Sequence, residues 1–160
     1  MEPGGNLDYN SKTLRFTFSS PLTPTIVYDY SLETKRLKVV SRADFGVKTD
    51  DYECLRITNH TLLNNLNEDY LKAPSIDHPP ITILRNKNIS KPGPALLDVY
   101  GAYGQNIDPH FKIDYFPLLQ RGWTIAIIHT RGGSEYGPSW HKYGCSKYKV
   151  SASVLTAIYF

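Results

Sequence analysis

The sequence Ile-Ile-His-Thr-Arg-Gly-Gly-Ser-Glu-Tyr-Gly, residues 127–137, indicates how the second half of this chain folds. It follows an apolar run, Trp123 to His129, with an arginine, two glycines and an acidic residue. A second apolar run, Ala95 to Val99, ends upstream in Tyr100-Gly-Ala-Tyr-Gly104. Near-continuous apolar runs of this length are typical of strands buried on both faces. We therefore predict two buried strands, each followed by a loop that contains glycine and tyrosine.

Helical patterns lie between and after these strands. Phe116-Pro-Leu-Leu-Gln-Arg-Gly122 predicts a short helix that ends with Gly122 in a left-handed conformation. Ser151 to Phe160 has Val154, Leu155 and Ile158 at helical spacing. Strands and helices that alternate in this way favour an α/β fold for the second half of the chain.

The first fifty residues have a different pattern, which predicts β structure. Leu14 to Ser19 alternates apolar with polar residues, as a half-buried strand does. The prolines in Ser20–Pro24 interrupt this strand. Ile26–Tyr30 and Arg36–Val40 then predict two further strands, separated by a short polar turn. Three strands joined in this way form a meander, which occurs in sandwiches and propellers alike.

The middle of the chain is less regular. Arg42 to Asp51 is polar and reads as a linker, whereas Tyr52–Ile57 and Ile81–Leu84 predict two more strands. Leu62 to Leu71 is compatible with a short amphipathic helix or with an insertion loop. Both interpretations stay open at the level of the sequence.

Composition excludes several classes of function. The chain has 160 residues, of which 41% are hydrophobic and 12% aromatic, and this composition argues against disorder. A net charge of +3 is too small to indicate nucleic acid or an anionic membrane as partner. The two cysteines, Cys54 and Cys145, form no disulfide framework, and the N-terminus has no secretory pattern. These features predict a cytoplasmic protein with neither a nucleic-acid nor a membrane partner. The five histidines show no metal-ligand spacing, so we expect no metal and no cofactor.

Several of these motifs, in this order, resemble the prolyl oligopeptidase family of serine peptidases, and its oligopeptidase B branch best. Ser19 to Tyr30 is similar to the last propeller blade of that family. Val99 to Gly104, followed by Ile107 to Phe111, is similar to its loop after an early hydrolase strand. Leu119 to Trp123 and His129 to Gly137, with Trp140-His141, resemble the next strand and its loop.

The resemblance implies a mixed β and α/β fold: the end of a β-propeller followed by the first strands of an α/β-hydrolase domain. Residues 1–50 would form the C-terminal end of the propeller. Residues 51–160 would form the N-terminal part of the peptidase domain. The family's Gly-x-Ser-x-Gly nucleophile motif and its triad Asp and His would lie beyond Phe160, so we expect a partial sequence without activity of its own.

Two tyrosines are the site residues that the resemblance implies. Tyr100 matches the tyrosine whose hydroxyl donates a hydrogen bond to the oxyanion of the tetrahedral intermediate. Tyr103 matches a position that lines the pocket for the residue before the scissile bond. Each tyrosine could instead only pack its loop.

The charged and small residues of the second loop have structural interpretations. We assign Arg131, Gly132, Gly133 and Glu135 to loop structure, with an ion pair of Arg131 and Glu135 as one way to hold the loop and presentation of charge to a substrate as the other. Ser134 replaces the third glycine of the family's Arg-Gly-Gly-Gly-Glu. Its spacing, Gly-x-Ser-x-x-Gly, is one residue too long for a nucleophile elbow, so we interpret it as a tolerated replacement.

The resemblance therefore predicts a serine-type peptidase that hydrolyses short peptides, and its oligopeptidase B branch implies cleavage after Arg or Lys. A non-catalytic homologue that acts as an interaction module through an exposed sheet edge is the alternative. An unrelated β-rich binding domain is a third interpretation, and it would require Tyr100 and Arg131 to lie far apart.

Overall fold

The structure, a computed structural model, describes residues 1–58, 79–91 and 93–149 and contains two four-stranded sheets. The strands of the first sheet are β1 (Glu2–Pro3), β2 (Thr13–Ser20), β3 (Thr23–Ser31) and β4 (Leu37–Arg42). Those of the second are β5 (Tyr52–Ile57), β6 (Ile81–Asn86), β7 (Ala95–Val99) and β8 (Thr124–Ile128). The sheets are joined by residues 43–51, which end in a 3-10 turn, Thr49–Asp51.

The first sheet is an antiparallel meander in the order β1-β2-β3-β4, which confirms the three predicted strands. Cross-strand pairs of side chains stabilise it. Phe16 stacks on Tyr28 with ring centroids 5.4 Å apart, and Arg15 Nε donates to Asp29 Oδ1 at 2.8 Å. Lys35 takes a positive φ of 57° in the turn between β3 and β4. The two-residue strand β1 was not predicted, because it is too short to show an alternation.

The second sheet is mixed, in the order β5-β6-β8-β7. β6 pairs antiparallel with β5 and β8, whereas β7 and β8 are parallel. β8 lies between two strands, and its residues Ile125 to Ile128 are at most 1% exposed. Burial on both faces was predicted for this strand and is confirmed.

The same prediction was wrong for β7. Ala95–Val99 is a strand, but it lies at the end of the sheet, where Leu97 is 38% and Val99 37% exposed. Within the described part of the chain, β7 pairs only with β8. The apolar composition of a strand does not show how many strands lie beside it. The topology of the sheet decides whether the strand is central or at an edge.

Two short helices accompany the second sheet, α1 (Phe116–Gln120) and α2 (Pro138–Lys142). The chain leaves α1 through Gly122, whose φ of 84° confirms the predicted left-handed end of this helix. The predictions for Leu62–Leu71 and for Ser151–Phe160 lie outside the described residues. None of the described helices is long and apolar enough to span a membrane.

An aromatic chain joins the inter-sheet segment to the core of the second sheet. Phe45 stacks on Phe111 at 5.3 Å, Phe111 contacts Phe116 at 5.1 Å, and Phe116 meets the edge of Tyr52 at 5.2 Å. The backbone N–H of Phe111 also donates to Ser19 Oγ at 3.3 Å, which is a direct contact between β2 and the segment that follows β7. The segment after β7 thus contacts both the first sheet and the core of the second sheet.

Candidate active site

Two loops meet at one edge of the second sheet. Residues 100–104 follow β7 and residues 129–137 follow β8. Because these two strands are parallel neighbours, their carboxyl ends lie side by side, where ligands commonly bind in α/β sheets. The N–H of Gly104 donates to the carbonyl of Gly132 at 2.9 Å and joins the loops directly. The sequence interpretation that required Tyr100 and Arg131 to lie far apart therefore does not fit this arrangement.

Glycines make the close approach of the loops possible. A Cβ on Gly132 would lie 2.0 Å from the carbonyl oxygen of Gly101, and Gly132 has a φ of 104°. A Cβ on Gly144, just after α2, would lie 2.0 Å from the nitrogen of Gly132. Since the obstructing atoms are backbone atoms, no change of rotamer could relieve these contacts. The three backbone segments touch because none of the three residues has a side chain.

The loop after β7 presents two tyrosines to solvent. Tyr100 is 48% exposed and Tyr103 is 84% exposed. Tyr103 has a positive φ of 54°, which is unfavourable for a residue with a Cβ. No hydrogen bond from either hydroxyl is found within the part of the chain that the structure describes.

Ser134 links the two loops through its side chain. Its Oγ donates to the carbonyl of Gly104 at 2.6 Å and lies 3.0 Å from Asn106 Oδ1. Its backbone N–H donates to the same Oδ1 at 2.9 Å. A serine whose proton is directed at a carbonyl has no base to activate it, so these contacts support its interpretation as a glycine replacement rather than a nucleophile.

His129, the first residue after β8, is buried and held in one tautomer. Its Nε2 lies 3.0 Å from Thr82 Oγ1 and 3.3 Å from Arg56 Nη1. Because an arginine can only donate, Nε2 accepts and the ring proton is on Nδ1. Burial, followed by the positive charge of Arg56, lowers the pKa of His129, although Glu135 acts in the opposite direction.

Glu135 fills the space between the loops. Its Oε1 accepts a hydrogen bond from the N–H of Ile107 at 3.2 Å and lies 3.6 Å from Nδ1 of His129. Its Oε2 is buried without a hydrogen bond to the described residues and would lie 2.2 Å from a Cβ on Gly133. The carboxylate therefore contacts the loop after β7 and the end of β8 at once.

Arg131 is also buried, with an exposure of 3%. Its guanidinium lies 5.4 Å from the centre of the Trp140 ring, within the range of a cation–π interaction. The indole Nε1 of Trp140 donates to the carbonyl of Thr130 at 3.2 Å. A charge that is enclosed in this way is poorly placed to meet a substrate, which favours the structural interpretation of Arg131.

Four residues around the loops were not found from the sequence as loop contacts. His141 Nδ1 lies 2.8 Å from the carbonyl of Gly132, and Cys145 Sγ lies 3.6 Å from the same Nδ1. Lys149 Nζ donates to the carbonyl of Gly101, and Asn106 holds Ser134. Only Trp140-His141 had any signal, as part of the resemblance. Contacts of single side chains with another loop, such as that of Lys149 with Gly101, leave no pattern in a single sequence.

A charged cluster lies at the base of the first loop. Asp98 Oδ2 accepts hydrogen bonds from Lys112 Nζ at 2.8 Å and from the hydroxyl of Tyr115 at 2.5 Å. Desolvation acts to raise the pKa of Asp98, but the two hydrogen bonds together lower it below its ordinary value. Asp98 therefore has an ion-pair partner within an otherwise apolar strand, and this contact anchors the strand that leads into Tyr100.

Solved structures of peptidases share this arrangement of strands. The fold matches the structure of oligopeptidase B from Leishmania major with a TM-score of 0.74 and 28% identity, over 96% of this chain and 21% of that one. It thus matches prolyl oligopeptidase structures, which join a propeller to a hydrolase domain, over part of their length.

Curated relatives agree with the structural match. The chain is 32% identical over 155 residues to a prolyl endopeptidase-like protein of Xenopus laevis, which covers 94% of this chain and 20% of that protein. It is 29% identical over 150 residues to dipeptidyl aminopeptidase BI of Pseudoxanthomonas mexicana, with 90% and 19% covered. No family model matches the sequence. These relatives and structural neighbours are prolyl endopeptidase-like proteins and oligopeptidase B, which supports the prolyl oligopeptidase family of serine peptidases, and the chain spans about a fifth of the length of these curated relatives.

Proposed function

We propose that this chain supplies the oxyanion side and part of the substrate pocket of a serine peptidase that hydrolyses short peptides. Cleavage after Arg or Lys is the specificity we favour, because oligopeptidase B is among the structures it matches. We assign residues 1–50 to the end of a propeller and residues 51–160 to the start of the peptidase domain. The division into two sheets, between Arg42 and Tyr52, supports this boundary.

Tyr100 is the proposed oxyanion donor, and its position is the observation that carries the proposal. Attack of a serine on a peptide carbonyl creates a negatively charged oxygen, which a preorganised donor stabilises. The hydroxyl of Tyr100 has no competing partner among the described residues, and the residue lies at the carboxyl end of β7. The backbone contact of Gly101 with the neighbouring loop fixes its place relative to the second loop.

Tyr103 is the proposed wall of the pocket for the residue before the scissile bond. Its ring is the most exposed of the loop, and its backbone is held at positive φ. An aromatic face that is already exposed can receive an aliphatic, aromatic or cationic side chain of a peptide with little rearrangement.

The decisive test uses the complete reading frame that contains this chain. Tyr100→Phe removes one hydroxyl, and we expect kcat to fall by about 100-fold to 1000-fold with KM nearly unchanged, because the hydroxyl acts only in the transition state. Tyr136→Phe is the matched control, since Tyr136 is 47% exposed on the adjacent loop. Equal kcat values for Tyr100→Phe and the control would refute the assignment.

We further propose that residues 1–160 alone have no peptidase activity. The sequence contains no Gly-x-Ser-x-Gly motif, and Ser134 is occupied by its contact with Gly104. We expect the purified chain to take no fluorophosphonate label and to leave an Arg-containing peptide intact. Labelling of any one serine would contradict this proposal.

A second candidate function, an interaction module, is favoured by one observation. On its side away from β8, β7 has no neighbour among the described strands, and it exposes Leu97 and Val99 beside backbone groups able to pair with another strand. Sedimentation of the purified chain distinguishes the candidates. Concentration-dependent association that is abolished by Leu97→Lys would support the module, and a monomer at all concentrations would count against it.

A further inference from the structure

We propose that Ser134 and Asn106 form a side-chain clamp that positions the Tyr103 ring, which makes Ser134 a positioning residue of the pocket. The effect of the clamp on substrate binding rests on the proposed function. The contacts that form the clamp do not depend on any activity. It assigns a role to the residue at which this sequence differs from the glycine of the family pattern.

The clamp acts on the residue directly after Tyr103. The N–H of Gly104 donates to the carbonyl of Gly132, and the carbonyl of Gly104 accepts from Ser134 Oγ at 2.6 Å. Both backbone polar groups of Gly104 are therefore held by the opposite loop. Because Tyr103 itself has an unfavourable positive φ, this conformation requires support from outside the residue.

Asn106 holds the other side of the clamp. Its Oδ1 accepts from the N–H of Ser134 at 2.9 Å and lies 3.0 Å from the hydroxyl of the same residue. One residue further on, the N–H of Ile107 donates to Glu135. Consecutive segments of the first loop are thus tied to consecutive residues of the second.

A glycine at position 134 could keep its backbone N–H contact with Asn106 but would lack the hydroxyl that reaches Gly104. The chain therefore has one more restraint on the Tyr103 segment than the glycine pattern provides. A loop backbone that is held in place at Tyr103 before binding loses less conformational freedom when a substrate side chain packs on the ring. We accordingly expect Ser134 to affect substrate binding rather than the chemical step.

The test observes the ring directly in the chain of residues 1–160 labelled with 3-fluorotyrosine. Tyr103→Phe identifies the fluorine resonance of Tyr103. Ser134→Ala should shift or broaden that resonance and raise the exchange rate of the Gly104 amide by about five-fold, the effect of one lost hydrogen bond. Ser139→Ala, an exposed serine in α2, is the matched control and should change neither signal.

A second variant keeps the inference testable if Ser134→Ala disturbs folding. Asn106→Ala should produce the same change of the Tyr103 resonance, and the double variant should add little, because both residues belong to one contact. An unchanged Tyr103 resonance and Gly104 exchange rate in both variants would overturn the clamp. Changes spread over the tyrosines of the first sheet, such as Tyr28, would also overturn it, since they would show general destabilisation.

Activity separates this inference from the proposed function. In the complete reading frame, Ser134→Ala should raise KM several-fold with kcat unchanged. A lower kcat at constant KM would contradict positioning. If Tyr100→Phe leaves activity intact, the proposed oxyanion role fails, whereas the fluorine and exchange measurements still decide the clamp.

Discussion

Replacing Gly132 by alanine should lower the free energy of unfolding, because it forces apart the loops that follow β7 and β8. The new Cβ would lie 2.0 Å from the carbonyl oxygen of Gly101 and 2.7 Å from its carbonyl carbon, at a φ of 104°. An alanine at positive φ costs about 1–2 kcal/mol on its own. Because the obstructing atoms are backbone atoms, the loops must also separate.

Separation of the loops breaks further interactions. Gly132 accepts from the N–H of Gly104 and donates to the carbonyl of Trp140, and each bond contributes about 0.5–1.5 kcal/mol. Together with the conformational term, we expect Gly132→Ala to lower the free energy of unfolding by about 2–5 kcal/mol. Urea unfolding followed by tryptophan fluorescence measures this difference.

Gly137→Ala is the control for this prediction. Gly137 has a similarly positive φ of 86°, but nothing lies within 4 Å of a Cβ built on it. Gly137→Ala should therefore lose only the free energy that a positive φ costs an alanine, about 1–2 kcal/mol. If both variants lose the same stability, the contact between Gly132 and Gly101 contributes nothing and the reasoning is refuted.

Three further predictions concern the remaining contacts. Asp98→Asn should lower the free energy of unfolding by about 1 kcal/mol at pH 7. Because the pKa of Asp98 is lowered in the folded state, this difference from wild type should disappear as the pH falls through the folded-state pKa. A difference in urea midpoint between variant and wild type that is the same at pH 7 and at pH 3 would contradict this. Because the pKa of His129 is lowered in the folded state, the unfolded chain takes up a proton first as the pH falls below about 6.5, and the free energy of unfolding should decrease over that range. An NMR titration should show the ring proton on Nδ1 and a pKa below that of free histidine. Phe111→Ala should cost about 2–3 kcal/mol, because its ring lies between two others, and calorimetry should show a lower Tm; an unchanged Tm would exclude this role for the aromatic chain.

The strands could be predicted from the sequence because their signal is local. Alternation at Leu14–Ser19 and the apolar run before His129 each lie within one element, and the structure has strands at both places. The left-handed conformation at the end of α1 could also be predicted, because few residues other than glycine adopt a positive φ as readily as Gly122 does.

The contacts of the site could not be read in the same way. From the sequence, Ser134 is a tolerated replacement of a glycine, and nothing in the sequence predicts its hydrogen bond to Gly104, thirty residues earlier in the chain. The contacts of Glu135 with His129 and Ile107 likewise depend on how two loops come together. β7 and β8 have similar composition, and only the order of strands decides which of them is covered.

The order of strands also bears on the sequence of events when the chain folds. Every strand of the first sheet pairs with the strand next to it along the chain, so only short loops need to close. In the second sheet, Ile81 pairs with Ile128, and this pairing must await the intervening residues. Closing a long loop costs more entropy, so the strands that it connects pair more slowly. During synthesis the first sheet can therefore form before the residues of the site have been made, and the two loops meet only after β8 and the loop that follows it have been synthesised.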